Sequence, residues 1–280
     1  MSDNLETLLD RAAAAVASAD ALVIAAGAGM GVDSGLPDFR GTEGFWKAYP
    51  PYRKLNLEFM DVANPQWFHD DPTLAWGFYG HRLNLYRAAI PHAGFAILQR
   101  WAAAKPNGAF IFTSNVDGQF QKAGFAEDQI VECHGSVHWM QCLNGCGGVI
   151  FSAAGATVAI DAESMRAAEP LPRCQHCDGA ARPNILMFDD YHWDAGRTEH
   201  QQQHLQAWLK MLTTVPVIIE MGAGLAIPTV RRFCERLARA ANAPLIRINV
   251  RESEGPADRI GLPMGALAAL TAIDARLQGS

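Results

Sequence analysis

The sequence of 280 residues has no apolar run of about 18 or more, so no membrane-spanning helix is expected. Nor does it have a surplus of positive charge: 23 Lys and Arg against 29 Asp and Glu leave a net charge of -6, which argues against nucleic acid as a main partner. The opening Met1-Ser-Asp-Asn-Leu-Glu lacks the basic stretch of a secretion signal and leads into an alanine-rich segment. A cytoplasmic protein is therefore expected, in a compartment where paired cysteines mean metal more often than disulfide. Charged residues are scarce at 19%, and the 49% that are hydrophobic suffice for one large domain or a large and a small one.

What is present is organised around Gly27-Ala-Gly-Met-Gly-Val-Asp-Ser-Gly-Leu-Pro-Asp-Phe-Arg-Gly41. This stretch follows Ala21-Leu-Val-Ile-Ala-Ala26, an apolar run that reads as a buried parallel strand. Glycines at 27, 29 and 31 leave backbone N–H groups uncovered by side chains, as in a strand-to-helix turn that approaches a pyrophosphate. Val32 breaks the Gly-x-Gly-x-x-Gly pattern, and the acidic residue that a dehydrogenase fingerprint places about 20 residues further on is missing. Instead Ser34, Asp38 and Arg40 gather polar and charged groups around Pro37 and Phe39.

Elsewhere the pattern alternates helix and strand. Helices are expected over 4–19, 91–104, 201–212 and 262–277, and further buried strands at 109–112, 215–219 and 244–249. Residues 42–90 are aromatic-rich and punctuated by proline, which predicts short helices forming a small module or lid. Within them Tyr79 and Arg82 are three apart and share one helix face, on the residues alone a core tyrosine beside a solvated arginine. The second strand runs into Thr113-Ser-Asn-Val-Asp-Gly118, either polar groups facing the crevice of the glycine loop or an Asx turn capping the next helix. A second glycine turn, Gly222-Ala-Gly224, follows the third strand, and Asn249 ends the fourth.

Six cysteines occupy 133, 142, 146, 174, 177 and 234. Cys142-x-x-x-Cys146 and Cys174-x-x-Cys177 offer two thiolates each from tight turns, the set that closes a structural tetrahedral zinc site. His176 lies inside the second pair at a spacing unsuited to a fourth ligand. Cys133 and Cys234 are left as buried small hydrophobes. The alanine-rich, polar stretch 152–169 is expected to be a loop or short helix.

Taken together, Gly-Ala-Gly, Ser-Gly-x-Pro-Asp-Phe-Arg-Gly, Thr-Ser-Asn-Val-Asp, His-Gly-Ser, the cysteine pairs, Arg-Pro-x-Ile-Leu-x-Phe and Ile-Asn resemble, in order, the signature of the sirtuins from about residue 20 to 275. The resemblance implies a Rossmann-like parallel sheet binding NAD, with a smaller zinc-binding and helical domain built from insertions. The boundaries would be 1–41, 91–134 and 186–280 for the large unit, and 42–90 and 135–185 for the small one. It implies NAD-dependent removal of acyl groups from protein lysine, with His134 as general base and Asn115 and Asp117 beside the nicotinamide ribose. Gly27, Ala28, Gly29, Ser34, Asp38, Phe39, Arg40, Ser114, Gly222, Ala223, Gly224 and Asn249 would complete the cofactor site. A Tyr-x-x-Arg pair recognises acidic acyl groups in some sirtuins, which assigns Tyr79 and Arg82 to an acyl pocket. The implied partner is an acyl-lysine protein or peptide, with no nucleic acid or membrane.

Several positions depart from the family. Ser114 replaces a glutamine, Ala223 and Gly224 replace two hydroxyl residues, and Asp189-Asp190 replaces Gly-Glu, which predicts an acidic edge where substrate peptide docks. The same ribosyl chemistry with another nucleophile would give mono-ADP-ribosyl transfer or NAD hydrolysis. The loops alone would serve a non-catalytic NAD or ADP-ribose sensor.

Overall fold

The computed structural model describes residues 4–38, 41–256 and 258–279. Helix α1 (Leu5–Ser18) leads to β1 (Leu22–Ala26), after which two single 3-10 turns carry the chain to Ser34. Short helices α2 (Gly41–Ala48), α3 (Pro50–Lys54), α4 (Phe59–Val62) and α5 (Trp67–Asp70) precede the long α6 (Pro72–Ala88). Then come α7 (Ala93–Ala103), β2 (Ala109–Thr113), α8 (Gln119–Lys122) and β3 (Ile130–Glu132). Strands β4 (Gly135–Cys142), β5 (Phe151–Ser152), β6 (Ile160–Asp161), β7 (Arg166–Ala167) and β8 (Ala181–Ile185) follow. The chain closes with α9 (Gly196–Met211), β9 (Val217–Met221), α10 (Thr229–Ala241), β10 (Leu245–Ile248), β11 (Ile260–Leu262) and α11 (Ala266–Gln278).

Six of these strands form one parallel sheet in the order β11-β10-β9-β1-β2-β3. Leu22 to Ala26 pair with Ala109 to Thr113 on one side and with Val217 to Met221 on the other. The chain winds outward from β1 in both directions, so the crevice at the carboxyl ends of β1 and β9 is the switch point where such sheets bind ligands. Alternation along β1 sends Leu22 and Ile24 into a core under α1, α7 and α11, and Val23 and Ala25 into a core under α9 and α10. Both faces are covered, which explains five consecutive buried residues in β1, β2 and β9.

A third core joins the short helices to β4, β8 and the cysteine turns through Phe45, Tyr52, Phe78, Val137 and Cys174. Over 152–169 the structure corrects the expected loop or short helix: β6 and β7 form an antiparallel hairpin laid on α6. Gly77 and Gly80 make room for it, since a Cβ at 77 would lie 1.9 Å from the Met165 carbonyl and one at 80 would lie 2.5 Å from Val158 Cγ1.

Other boundaries shift for identifiable reasons. The third large-sheet strand runs from Val217, because Pro216 has no N–H to donate, and continues through Glu220 because the buried Arg247 pairs with it bidentately at 2.7 and 2.8 Å. Helix α9 begins at Gly196, five residues before the expected start, where the Thr198 hydroxyl donates to the Glu132 carbonyl and Arg197 pairs with the buried Glu132 carboxylate. Ile260 to Leu262 form a sixth strand, so the last helix starts at Ala266.

Candidate active site

The two glycine turns meet at the switch point and touch backbone to backbone. A Cβ on Gly27 would lie 2.8 Å from Ala223 Cα, and one on Gly29 would lie 2.7 Å from Gly222 Cα. Gly222 has φ +61°, so it needs glycine twice over. The N–H groups of Gly27, Gly29 and Gly31 donate to Met221, Gly222 and Ala28 carbonyls at 2.9, 3.0 and 3.1 Å. This corrects the picture of three uncovered glycine amides: the glycines permit the interlock. Among the described residues no acceptor is found for the N–H groups of Ala28, Ala223 and Gly224.

Asn249 braces the second turn. Its Nδ2 donates to the Ala223 carbonyl at 2.9 Å, and its Oδ1 accepts from the N–H groups of Arg251 and Glu252, both at 3.1 Å. The amide is occupied at both ends and 3% exposed, so it acts on this crevice by holding its loop. The Ser34 hydroxyl accepts the His92 N–H at 3.0 Å, and Asp38 is half-buried just beyond. Phe39 and Arg40 lie outside the described residues.

Opposite the glycine turn, the loop after β2 is tied down at each end. The Asn115 N–H donates to the Thr113 hydroxyl at 3.0 Å, and Asn115 Nδ2 donates to the Gly27 carbonyl at 3.1 Å. Ser114, half-buried, donates its N–H to the Ala26 carbonyl. Asp117 accepts the Gln119 N–H at 2.9 Å, the Asx turn read from the sequence, which leads into α8 through Gly118 at its N-cap position. Burial pushes the Asp117 carboxyl up to about 6 against the pull of that N–H.

His134 stands where β3 gives way to β4. Gly135 follows with φ +75°, and a Cβ there would lie 2.1 Å from the Asn184 carbonyl, so β8 packs directly behind the histidine. Its Nε2 lies 3.3 Å from the Thr229 hydroxyl at the start of α10. Burial lowers the imidazole pKa below its ordinary 6.5, which keeps it neutral and able to accept a proton at neutral pH.

The four paired cysteines converge, their Sγ atoms all within 4.8 Å of one another. Cys142 and Cys177 are 3.8 Å apart, Cys146 and Cys174 3.7 Å. With Zn–S bonds of about 2.3 Å a tetrahedron has sulfur–sulfur edges of about 3.8 Å, so this set fits zinc. Desolvation would raise Cys142, yet N–H groups of Cys146 and Asn144 and the neighbouring thiols bring it down to about 7. Cys133 and Cys234 are 8% and 0% exposed, as expected of small hydrophobes.

Tyr79 and Arg82 share a face of α6, as the spacing requires, and both are buried, which removes the solvated-arginine reading. The Arg82 guanidinium lies 5.2, 5.9 and 5.4 Å from the ring centres of Phe78, Tyr79 and Tyr86, and its Nε donates to the Tyr86 hydroxyl at 2.8 Å.

With this geometry in place the chain can be set beside known proteins. The Sir2 family profile matches residues 27–227. The chain belongs to the Sir2 family. It is 30% identical over 240 residues to NAD-dependent protein deacylase 2 of Pyrobaculum aerophilum, covering 85% of this chain and 83% of that one. It is 27% identical to an NAD-dependent protein deacylase of Leptospira interrogans over 81% of this chain and 80% of that one. The mitochondrial NAD-dependent protein deacylase sirtuin-5 of Danio rerio is 31% identical over 62% of this chain and 58% of its own length. In fold it is similar to a Sir2 homologue solved in complex with NAD, with TM-score 0.70 and 22% identity over 96% of this chain and 94% of that one.

A further expectation from sequence is overturned at the exit of β8. Asp190 does not form an acidic edge: its carboxylate is fully buried and takes Arg182 NH1 and NH2 at 2.7 and 2.9 Å. Only Asp189 of the pair is exposed, at φ +54°. Several contributors were invisible from sequence. Thr229 faces His134, Tyr86 holds Arg82, and His92 must carry its proton on Nε2 to bond the Met30 carbonyl at 2.9 Å below the glycine turn.

Proposed function

We propose that this Sir2 chain is an NAD-dependent protein-lysine deacylase. The observation that carries the reading is a half-buried His134 beside the loop bearing Asn115 and Asp117, next to the interlocked glycine turns at the switch point of a parallel sheet. Bound NAD would supply a ribose carbon activated by its nicotinamide leaving group, and with one water consumed the reaction ends as nicotinamide, O-acyl-ADP-ribose and free lysine.

The residues divide that work. The N–H groups of Ala28, Ala223 and Gly224 hold the diphosphate, with Gly27, Gly29 and Gly222 setting their spacing. Ser34, Asp38, Phe39, Arg40 and Ser114 complete the cofactor pocket, and Asn249 fixes its far wall. Asn115 and Asp117 orient the nicotinamide and its ribose. His134 Nε2 accepts a ribose hydroxyl proton and returns it as lysine departs, which needs the neutral imidazole that burial favours. Cys142, Cys146, Cys174 and Cys177 hold one zinc that supports the small unit and takes no part in chemistry.

In the acyl pocket a buried guanidinium ringed by tyrosines suits a carboxylate, whose two oxygens match its parallel N–H groups. Acidic acyl-lysine, succinyl or malonyl, is therefore the preferred substrate class, with Tyr79 and Arg82 recognising it. We assign the large unit to 1–41, 91–134 and 186–280 and the small unit to 42–90 and 135–185, with NAD and acyl-lysine between them.

The test is stoichiometry. Chromatography of reactions with acetyl-, butyryl- and succinyl-lysine peptides should give one nicotinamide per lysine freed, fastest with succinyl, and Arg82→Met should remove that preference. Nicotinamide released without freed lysine overturns the reading in favour of ADP-ribosyl transfer or NAD hydrolysis.

A further inference from the structure

His138 lies four residues beyond His134, within β4, and turns its imidazole onto the loop that carries Asn115 and Asp117. Its Nε2 is 3.0 Å from the Asp117 carbonyl oxygen. A carbonyl only accepts, so Nε2 carries a hydrogen and donates it. The ring edge fills the space beside Gly118, where a Cβ would lie 2.6 Å from His138 Cδ2 and where φ is +68°. Residue 118 is therefore glycine both for its backbone and for the histidine against it.

The neighbouring bonds explain why this one counts. The Val137 N–H donates to the Val116 carbonyl at 3.0 Å, so β4 grips two successive carbonyls of the loop. The first grip is main chain and survives any substitution. The second needs a side chain with a donor at the reach of an imidazole Nε2. His138, Asp117 and Gly118 share one wall of a cavity of about 310 Å³ that Arg87, Lys122 and Trp139 also line. Arg87 and Lys122 direct their charged ends at backbone carbonyls of residues 153, 156, 87 and 89, leaving His138 as the group that meets the Asp117 backbone from this side.

We propose that His138 is a positioning residue: by donating to the Asp117 carbonyl and packing against Gly118, it holds Asn115 and Asp117 in register with the nicotinamide ribose. It acts through the loop and touches no reacting atom. The proposal rests on the deacylase reading for which reaction is affected, and on the geometry alone for the effect on NAD.

The decisive comparison is His138→Phe, which keeps a ring and loses the donor, against His138→Gln, whose amide restores a donor at similar reach. Both should melt close to the wild type. The Phe variant should lose about tenfold in kcat/KM for NAD, the scale of one lost hydrogen bond at a site that must stay ordered, with the KM for acyl-peptide unchanged. The Gln variant should return to within about threefold. Should the Phe variant fail to fold, His138→Met is the second donor-free substitution. Wild-type kinetics in the donor-free variant, equal impairment in the Gln variant, or a loss confined to peptide KM overturns the proposal. Calorimetric titration with NAD makes the same comparison without turnover. A wild type that binds NAD but frees no lysine would overturn the functional reading while the variants still decide the role of His138.

Discussion

The parallel sheet and the small unit packed beside it solve the same problem with different physics. The sheet buries apolar side chains on both faces, and its two glycine turns lock by backbone contact, with Gly29 and Gly222 too close for any side chain. The small unit has two- to eight-residue strands and, α6 apart, helices of four to eight residues, and needs staples: four converging thiols, the buried Arg182–Asp190 pair that ties β8 to the chain beyond it, and a hairpin seated on Gly77 and Gly80. Stability is therefore spread through the sheet and concentrated at points in the small unit. The contrast can be tested by breaking one side at a time.

The largest effect should follow loss of the metal. Chelation, or Cys174→Ser, removes a contribution of roughly 10 kcal/mol from a set that folds around zinc. Hydrogen exchange should then show β4, β5 and β8 losing protection while β1, β2 and β9 keep theirs; equal loss in both would break the distinction. Next comes Asp190→Ala, which leaves Arg182 charged and unpaired at 1% exposure and should cost about 3–5 kcal/mol in denaturant titration. Peptide KM should rise with it, because Asp190 also accepts the N–H groups of Met187 and His192 and so shapes the strand exit.

On the sheet side, Gly29→Ala places a methyl 2.7 Å from a backbone atom and should cost about 1–3 kcal/mol, with a larger proportional loss in NAD affinity than in stability. The smallest effect has the opposite sign. Because the folded state holds the Asp117 proton more tightly than the unfolded chain, wild-type stability falls as pH rises from 3.8 through about 6 and then levels. Asp117→Asn removes that slope, so its melting temperature should overtake the wild type across this window while activity is lost. A parallel pH dependence in both proteins would contradict the buried-carboxylate account.

How much could be read beforehand also divides along this line. β1 and β9 announced themselves as apolar runs leading into glycine turns, β2 and β10 as apolar runs, and the zinc set as two cysteine pairs, since these signals are local in sequence, whereas the three-residue β11 fell at the edge of what was read as the last helix. Tertiary pairing was not legible. Glu220 looked like the end of a strand until Arg247 supplied its charge partner, and Asp190 looked like an exposed edge until Arg182, eight residues earlier, enclosed it. The hairpin over 160–167 depends on two glycines in a distant helix, which no local periodicity reports. Lone histidines carry no signal of rank: His134 stood out through its family match, whereas His92 and His138 gained their roles only from the carbonyls they face.

The measurement that tests the central claim most directly is mass spectrometry of the intact protein and of a succinyl-lysine peptide after incubation with NAD, with His134→Ala in parallel. The account predicts a peptide lighter by one succinyl group, a matching O-succinyl-ADP-ribose, an unmodified protein, and none of these products from the variant. An intact peptide with ADP-ribose mass added to the protein, or equal products from His134→Ala, would contradict it.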